Sequence, residues 1–272
     1  MEEIIEIYNG EIVLKCKASG YRYTNLATGK PIKNSITGIT GIIDKSGALM
    51  GWAIKCMAEW LLANLTMDKV ANDLQRCQTI LEAKSKYREA QKEAMDIGTA
   101  IHDYIHQWIA GKNPVLPDNP KIQNGIIAFQ KWWGDNKIEP LAIERLVYSR
   151  KHNIAGRFDL LSLQDGKLYI DDWKSSKGFY GGEYAYQVAG YQILLEEEME
   201  FLGKQKTIKN PQDKKIYDIW KKNGIAGRRI IRLGKEDGEF ELKEFQNNND
   251  LKAFLAAFFL KSREDVIKDE IK

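Results

Sequence analysis

Two aspartates and a lysine have the spacing in this chain that best suits hydrolytic chemistry. Asp159 and Asp172 flank Asp165-Gly166, a dipeptide that favours a two-residue hairpin turn because a type I′ turn needs positive φ at both positions. Counting outward from the turn pairs Asp159 with Asp172, and opposed residues have Cβ atoms about 4.5–5.5 Å apart. The two-residue repeat of a strand puts Lys174 on the same face as Asp172. The spacing therefore predicts two carboxylates and one ammonium at a single point.

The predicted pair of carboxylates needs a counter-charge, because opposed like charges destabilise a sheet. A divalent ion such as Mg²⁺ takes carboxylate oxygens, and it can polarise a phosphoryl oxygen. Lys174 would orient the attacking water or stabilise charge in the transition state. Without an ion, repulsion should raise the pKa of one of the two carboxyl groups. Asp171 should point to the opposite face, so we expect Asp171→Asn to be tolerated. The alternative to a metal site is an exposed hairpin whose polar residues face solvent.

Two histidines lie four residues apart in a stretch with a helical apolar stripe. His102 and His106 therefore share one face of a helix. Zinc peptidases use H-E-x-x-H on a helix, with the Glu as general base. Asp103 takes the place of that Glu here, its side chain is shorter, and no motif for a third ligand follows. A peptidase and a structural histidine both stay open as rival interpretations.

Strands and helices that could position these residues follow from hydrophobic periodicity and turn residues. We predict strands over Ile4–Tyr8 and Glu11–Lys17 around a type I′ turn at Asn9-Gly10, and a third over Tyr21–Asn25. The later expected elements are one or two helices over Asp68–Ala94, helices over Gly98–Gly111, Ile122–Asn136 and Tyr184–Leu202, a strand over Leu141–Ser149, a hairpin around Asp237-Gly238, and a last helix from Asn249 or Asp250.

The sequence around these residues resembles the PD-(D/E)XK nucleases, and within them the RecB-type exonuclease branch. Gly156 to Asp159 and Ile170 to Ser175 are similar to the G-x-x-D and hydrophobic-D-x-K strands of that branch. Gly98 to His102 resembles its histidine helix, and Gln187 to Tyr191 resembles its Q-x-x-x-Y helix. The length and first segment resemble single-domain versions encoded by bacteriophages.

This resemblance implies a restriction-endonuclease-like α/β fold, in which helices flank a central mixed sheet. It implies a Mg²⁺- or Mn²⁺-dependent deoxyribonuclease, most simply an exonuclease acting on DNA ends in replication, recombination or repair, and leaving 5′-phosphate and 3′-hydroxyl products. The implied catalytic residues are Asp159, Asp172, Lys174, His102 and Glu144. The implied metal ligands are Asp159, Asp172, His102 and the Trp173 carbonyl. Gln187 and Tyr191 would touch DNA or order Lys174, and His106 stands where the branch often has an acidic residue.

Two further stretches are candidates for contact with DNA. The small-residue loop after the hairpin, with Ser175 and Lys177, would pass close to a phosphate backbone. The basic segment Lys204–Lys222 reads as a loop, and Lys214 and Lys215 would belong to a salt-dependent phosphate track. A solvated charged face is the other interpretation of that segment.

The composition of the chain sets the class of protein. Its 272 residues are 43% hydrophobic and 29% charged, as in ordinary globular proteins, and a net charge of +3 requires that any DNA-binding surface be local. We expect no membrane span and no signal peptide. The three cysteines, Cys16, Cys56 and Cys77, fit neither a disulfide framework nor the four-cysteine iron–sulfur site of some RecB-type relatives. They indicate a reducing cytoplasm, which for a phage protein would be the host's.

We predict one nuclease domain over residues 1–272. It comprises N-terminal strands and a helical wall over 1–95, a catalytic core over 96–262 and a charged tail over 263–272. DNA is the expected partner, and the resemblance also admits a helicase or a recombination protein. A structure-selective endonuclease and a DNA-binding subunit with an inactive nuclease site are the alternatives to an exonuclease.

Overall fold

A computed structural model describes residues 2–17, 22–179 and 181–271 of the protein. The chain divides into two compact units, one made of Met1–Ile43 and His102–Lys272 and the other of Asp44–Ile101. Helices and sheets of mixed strand orientation make up the structure, so the predicted mixed α/β class is confirmed at that level. The single nuclease domain stays a prediction. Every residue proposed for catalysis, metal binding or DNA contact lies in the first unit.

The first unit begins with a small antiparallel sheet whose strands follow chain order. Its strands are β1 (Glu2–Ile7), β2 (Ile12–Lys17), β3 (Arg22–Asn25) and β4 (Lys30–Pro31). The predicted hairpin is confirmed, with Ile7 opposite Ile12. The predicted third strand is confirmed over the range of β3, and Tyr21 lies outside the described residues.

The turn of this first hairpin is longer than the predicted type I′ turn. Tyr8, Asn9 and Gly10 have φ of 53, 60 and 87°, and they form a short 3₁₀ turn. Tyr8 is buried, and its hydroxyl donates a 2.8 Å hydrogen bond to the carbonyl of Tyr148. Its backbone N–H donates to Glu198 Oε1 at 3.1 Å. These distant partners select the longer turn over the local preference of Asn9-Gly10.

The second unit is helical. After β5 (Asn34–Ser35) and α1 (Ile36–Thr40) of the first unit come α2 (Ser46–Asn64), α3 (Met67–Ala71), α4 (Asp73–Ala83) and α5 (Lys86–Ile109). The predicted one or two helices over Asp68–Ala94 are three segments, and Asn72 caps α4 by accepting a hydrogen bond from Gln75 N–H. The helix predicted from Gly98 is the last part of α5, in which the boundary between the units falls. No helix in the described ranges is long and apolar enough to cross a bilayer.

A six-stranded mixed sheet forms the centre of the first unit. Its long strands are β6 (Glu139–Ser149), β7 (Ile154–Gln164), β8 (Lys167–Lys174), β9 (Ile225–Leu233) and β10 (Phe240–Phe245). The order is β10-β9-β8-β7-β5, with β6 also paired to β7. The β8–β9 and β5–β7 pairs are parallel, whereas the other pairs are antiparallel. The hairpin predicted around Asp237-Gly238 is confirmed by the pairing of β9 with β10.

The central hairpin has the predicted register. Asp165 and Gly166 have φ of 51 and 74°, as a type I′ turn requires. The ladder runs from Gln164–Lys167 outward to Leu160–Asp171. The ladder ends there, one position before the predicted pair of Asp159 with Asp172, and the backbone N–H of Trp173 donates to the Asp159 carboxylate.

Helices cover the two faces of the central sheet. They are α6 (Pro120–Asn136), α7 (Glu183–Leu202), α8 (Pro211–Asn223) and α9 (Asn249–Glu270). Trp132 of α6 packs on Trp173, with ring centroids 5.7 Å apart. Val188 and Leu195 of α7 join Ile170 in the main hydrophobic core, which lies on the other face. Adjacent residues of β8 therefore face different helices.

The prediction of a loop over the basic segment was wrong. The basic stretch is not a loop over its second half, because Asn210 caps α8 and Pro211 occupies its first turn. The charged tail from residue 263 is helical to Glu270, where an i,i+4 ion pair between Lys261 and Asp265 supports α9.

Gly156 is required by close packing rather than by a bend. It pairs regularly with Val147, and the irregularities of β6 fall instead between Pro140 and Ala142 and at Glu144, whose φ is 50°. A Cβ on Gly156 would lie 2.5 Å from Ile36 Cδ1 and 3.0 Å from Tyr191 Cε1. The strand thus needs a glycine here to let α1 and α7 approach it.

We expect Gly156→Ala to lower the free energy of unfolding by about 1–3 kcal/mol, the usual cost of overpacking a core. Urea unfolding followed by circular dichroism measures this free energy. When Ile36 is already alanine, adding Gly156→Ala should cost less than it does in the wild type. Gly134→Ala is the matched control, because Gly134 is exposed in α6, no atom lies within 4 Å of the new Cβ, and alanine is the better helix former. Equal stability of the two alanine variants would contradict the packing argument.

Candidate active site

Asp159 is held at the centre of the site by its two oxygens, which have different partners. Its Oδ2 accepts a 2.7 Å hydrogen bond from the backbone N–H of Trp173, on the neighbouring strand. Its Oδ1 lies 3.3 Å from His102 Nδ1 and 3.9 Å from His106 Nε2. The first contact fixes the carboxylate to β8, and the second oxygen is directed at both imidazoles.

Asp172 and Lys174 form an ion pair on the same face of β8, as the alternation of the strand predicted. Asp172 is 3% exposed, so this ammonium neutralises a buried charge. The Lys174 Nζ also lies 5.7 Å from the centroid of the Tyr184 ring, which limits the positions that its side chain can adopt. The ammonium is therefore placed beside Asp172 rather than free in solvent.

Gln187 and Tyr191 support this ion pair from α7. Gln187 Nε2 lies 3.4 Å from Asp172 Oδ1 and donates a 2.9 Å hydrogen bond to the Tyr191 hydroxyl. Tyr191 is buried against Phe158, and Gln187 is buried too. Of the two predicted roles, this position favours ordering Lys174, through its partner Asp172, over direct contact with DNA.

Glu144 enters the site through a strained position in β6. It lies between the pairs Ile143–Leu160 and Arg145–Phe158, at the level of Asp159. Its φ of 50° is in the left-handed region, which costs a non-glycine residue about 1–3 kcal/mol. The Oε1 of Glu144 lies 3.0 Å from His106 Nε2, and Arg157 Nη1 lies 3.6 Å from its Oε2. Only the family resemblance indicated this residue, since nothing in its local sequence signals positive φ.

The two aspartates differ in pKa. Burial, with a further contribution from the charge of Asp159, raises the pKa of Asp172 to about 6, although Lys174 opposes this. Burial also acts to raise the pKa of Asp159, but His102 and Lys174 outweigh it and the pKa is lowered. One carboxyl pKa is raised, as predicted, yet desolvation contributes more than repulsion does.

The surrounding groups respond to the same cluster of charges. Burial and the charge of Asp159 raise the pKa of Glu144 to about 7. The pKa of His102 is raised because Asp159 outweighs the effect of burial, whereas burial lowers the pKa of His106. Asp172 and Asp159 together outweigh burial and raise the pKa of Lys174. Lys174 therefore remains a cation at neutral pH.

Three side chains have the spacing of metal ligands. One donor atom each from His102, His106 and Asp159 lies within 4.8 Å of the other two. Donors that share one ion at about 2.0–2.2 Å stand about 3–3.5 Å apart, so small movements would bring this set onto an ion. In addition, His106 Nε2 is buried without an aligned hydrogen bond to any described residue. The residues present fit a divalent ion.

This grouping overlaps in part with the predicted ligands. It contains Asp159 and His102 together with His106, which the sequence suggested only by its i,i+4 spacing from His102. Asp172 lies outside the grouping and pairs with Lys174, and its predicted role as a ligand stays a prediction. Trp173 contributes its backbone N–H to Asp159, and its side chain packs in the core on the opposite face.

Asp171 lies on the face opposite the site, as predicted, but it is not a tolerant position. Its carboxylate is fully buried and pairs with Arg229, at 2.5 Å to Nε and 3.0 Å to Nη2. The hydroxyl of Ser162 also donates to it. We therefore withdraw the expectation that Asp171→Asn is neutral.

The predicted DNA contacts fall on two different elements of the first unit. Ser175 and Lys177 directly follow β8, next to Lys174. Lys215 pairs with Glu139 at 2.8 Å and Lys214 with Asp218, both on or beside α8. Lys214 and Lys215 are therefore each engaged with an acidic side chain.

Comparison of the chain with protein-family models and with curated proteins gave no match.

Proposed function

We propose that this protein is a metal-dependent deoxyribonuclease that hydrolyses phosphodiester bonds, and that it acts on DNA ends. The observation that carries the proposal is the ion pair of Lys174 with buried Asp172, beside an Asp159 that two imidazoles approach. Phosphoryl transfer depends on positioning and on stabilisation of spread negative charge, and this cluster supplies both a fixed cation and a metal-binding group. The resemblance to the PD-(D/E)XK nucleases supports the same chemistry.

Each side chain has a distinct part in this proposal. Lys174 orients the attacking water and stabilises the negative charge that grows on the phosphoryl oxygens. Asp172 keeps the ammonium in place, and Gln187 holds Asp172. Asp159 and His102 hold the divalent ion, with Glu144 beside them. When bound, that ion supplies Lewis-acid polarisation of the phosphoryl oxygen and a lowered pKa for a bound water.

A cleft beyond the end of the strand that carries Lys174 provides the path for the DNA backbone in this proposal. It has a volume of about 230 Å³ and lies beyond the carboxyl ends of the parallel strands β8 and β9, where Lys174 pairs with Arg232. Ligands in open α/β sheets bind at such strand ends. Ser176, Lys177 and Arg232 line the cleft and offer donors for phosphate oxygens. The loop after β8 thus favours DNA contact more than Lys214 and Lys215 do, because those two lysines pair with acidic side chains.

The test is cleavage of end-labelled linear DNA and of covalently closed circular DNA by the full chain. With Mg²⁺ or Mn²⁺ we expect progressive loss of label from the linear DNA, intact circles, and no reaction with EDTA. Nicked or linearised circles would support the structure-selective endonuclease instead. DNA binding without cleavage of any substrate by any ion would support the inactive binding subunit.

One observation favours a metallopeptidase as a second candidate. The third ligand that the sequence lacked is present, since Asp159 joins His102 and His106. The candidate general base of a peptidase, Asp103, is not in place, because it is exposed and lies outside the set of three donors. A peptidase also gives no role to Lys174, so we rank this function second; cleavage of a casein substrate with Zn²⁺ would reverse the order.

A further inference from the structure

We propose that His106 is a metal ligand, and that the resulting two-imidazole site binds first-row transition-metal ions in preference to Mg²⁺. This inference rests on the proposed function only in requiring that the site hold a divalent ion. It assigns a role to a histidine that the resemblance does not account for. It also narrows the choice between Mg²⁺ and Mn²⁺ that the sequence left open.

The position of the His106 ring is the first argument. It lies one helical turn after His102 on α5, and the two ring centroids are 6.0 Å apart with the planes at 89°. Its Nε2 lies 3.0 Å from Glu144 Oε1 and 3.9 Å from Asp159 Oδ1. That nitrogen is buried, yet no described residue makes an aligned hydrogen bond to it. A nitrogen placed between two carboxylate oxygens in this way can offer its lone pair to a cation.

Glu144 supplies a second and independent observation. Its left-handed backbone, with φ of 50°, is an uncommon cost in the middle of a strand. The conformation accompanies a side chain whose Oε1 lies beside His106 and whose Oε2 lies 3.6 Å from Arg157. Strain of this kind is concentrated at functional sites, where a ligand can offset it. Glu144 is thus positioned to complete a set of two nitrogens and two carboxylates.

The donor atoms decide which metal such a set prefers. Mg²⁺ requires oxygen ligands and gives up its waters reluctantly. Imidazole nitrogen suits Fe²⁺, Ni²⁺, Cu²⁺ and Zn²⁺, whereas carboxylate oxygen suits Mg²⁺ and Mn²⁺, and Mn²⁺ is the first-row ion that an N/O site binds least tightly. Mn²⁺ is therefore the most stringent member of the first-row class to compare with Mg²⁺. A single histidine among carboxylates would let Mg²⁺ compete with first-row transition-metal ions, but a second imidazole shifts the preference toward the transition-metal ions. We therefore expect His106 to control the preference between the two classes.

The test measures metal binding without DNA, using the full chain after removal of metal with a chelator. Mn²⁺ is the probe, because the free ion is counted by electron paramagnetic resonance and bound imidazole nitrogen is detected by its pulsed form. We expect two imidazole nitrogens in the wild type and one in His106→Gln. The Mn²⁺ affinity of this variant should fall at least about 10-fold, the scale on which metal sites respond even to altered outer partners. Its Mg²⁺ affinity should change much less, and His152→Gln, at the remaining histidine, should match the wild type.

Two results would overturn the inference. One is a single imidazole nitrogen in both wild type and His106→Gln, and the other is an unchanged ratio of Mg²⁺ to Mn²⁺ affinity. Circular dichroism checks folding, and if His106→Gln does not fold, His106→Glu restores an oxygen donor. That variant should bind the two ions more equally, and retention of the wild-type preference for Mn²⁺ would also overturn the inference.

Cleavage assays on the same samples separate this inference from the proposed function. Binding of Mn²⁺ through two imidazoles with no DNA cleavage by any ion would defeat the proposed function and leave the inference standing. Equal cleavage with Mg²⁺ and Mn²⁺ by a protein that binds metal through one imidazole would defeat the inference and leave the proposed function standing.

Discussion

Replacing Lys174 by alanine should lower the rate of DNA cleavage by about 10²–10³-fold, the usual effect of removing one preorganised group that stabilises transition-state charge. The reason is its position, since the ammonium is held beside buried Asp172 in the cluster that contains Asp159. Affinity for DNA should change little, because an interaction made mainly in the transition state contributes little to ground-state binding. Single-turnover cleavage and a filter-binding assay measure the two quantities separately.

Lys167→Ala is the matched control for this variant. Lys167 is the first residue of β8 and is exposed at the turn end of the hairpin, so both substitutions remove one lysine from the same strand. The control should cleave DNA at the wild-type rate. Wild-type turnover by Lys174→Ala, or equal losses in the two variants, would contradict the role assigned to Lys174.

Asp171→Asn should be the most destabilising single change in the central hairpin, with a loss of about 3–5 kcal/mol in the free energy of unfolding. That is the usual cost of removing one partner from a buried ion pair, because the other charge stays buried without compensation. Here the remaining charge would be Arg229, which is 2% exposed and whose guanidinium lies 4.0 Å from the centroid of the Tyr169 ring. Urea unfolding monitored by tryptophan fluorescence measures the loss.

Asp165→Asn provides the control for this charge change. The substitution removes the same charge six residues away, but asparagine is equally suited to the first position of a type I′ turn. Its stability should stay within about 0.5 kcal/mol of wild type, as for surface changes in general. Replacing Asp171 and Arg229 together by Leu and Met should recover much of the loss, since apolar residues often substitute for a buried pair. A neutral Asp171→Asn would contradict the assignment of Asp171 to the core.

The central hairpin could be predicted closely because its determinants are local. Asp165-Gly166 fixes a two-residue turn, and the turn then sets which residues of the two strands face each other. The first hairpin shows the limit of the same argument. Asn9-Gly10 carries an equally strong turn signal, but the burial of Tyr8 and its hydrogen bonds to the rest of the unit impose a longer loop. A local preference decides the turn only where no distant contact competes.

Parts of the candidate site depended on distant partners and could not be derived from spacing. The alternation of β8 predicted that Asp171 faces away from Asp172. It did not predict that Arg229 of β9 lies on that face and pairs with Asp171. The four-residue spacing predicted that His102 and His106 share a face, but not that β7 brings Asp159 to both. The left-handed backbone of Glu144 is a property of the assembled sheet, so only the resemblance indicated that residue.

The alternation along β8 has a consequence for how this protein tolerates genetic variation. Asp171 and Trp173 contribute to the buried side that packs toward α6, whereas Asp172 and Lys174 belong to the proposed reaction centre. Neighbouring codons are therefore under two kinds of selection, one for cellular abundance and one for turnover. In a mutational scan that records both traits, substitutions at 171 and 173 would lose activity only in proportion to abundance, whereas those at 172 and 174 would lose activity beyond any loss of abundance. The alternation of side chains along this one strand thus separates the positions that maintain the amount of folded protein from the positions that carry the proposed chemistry.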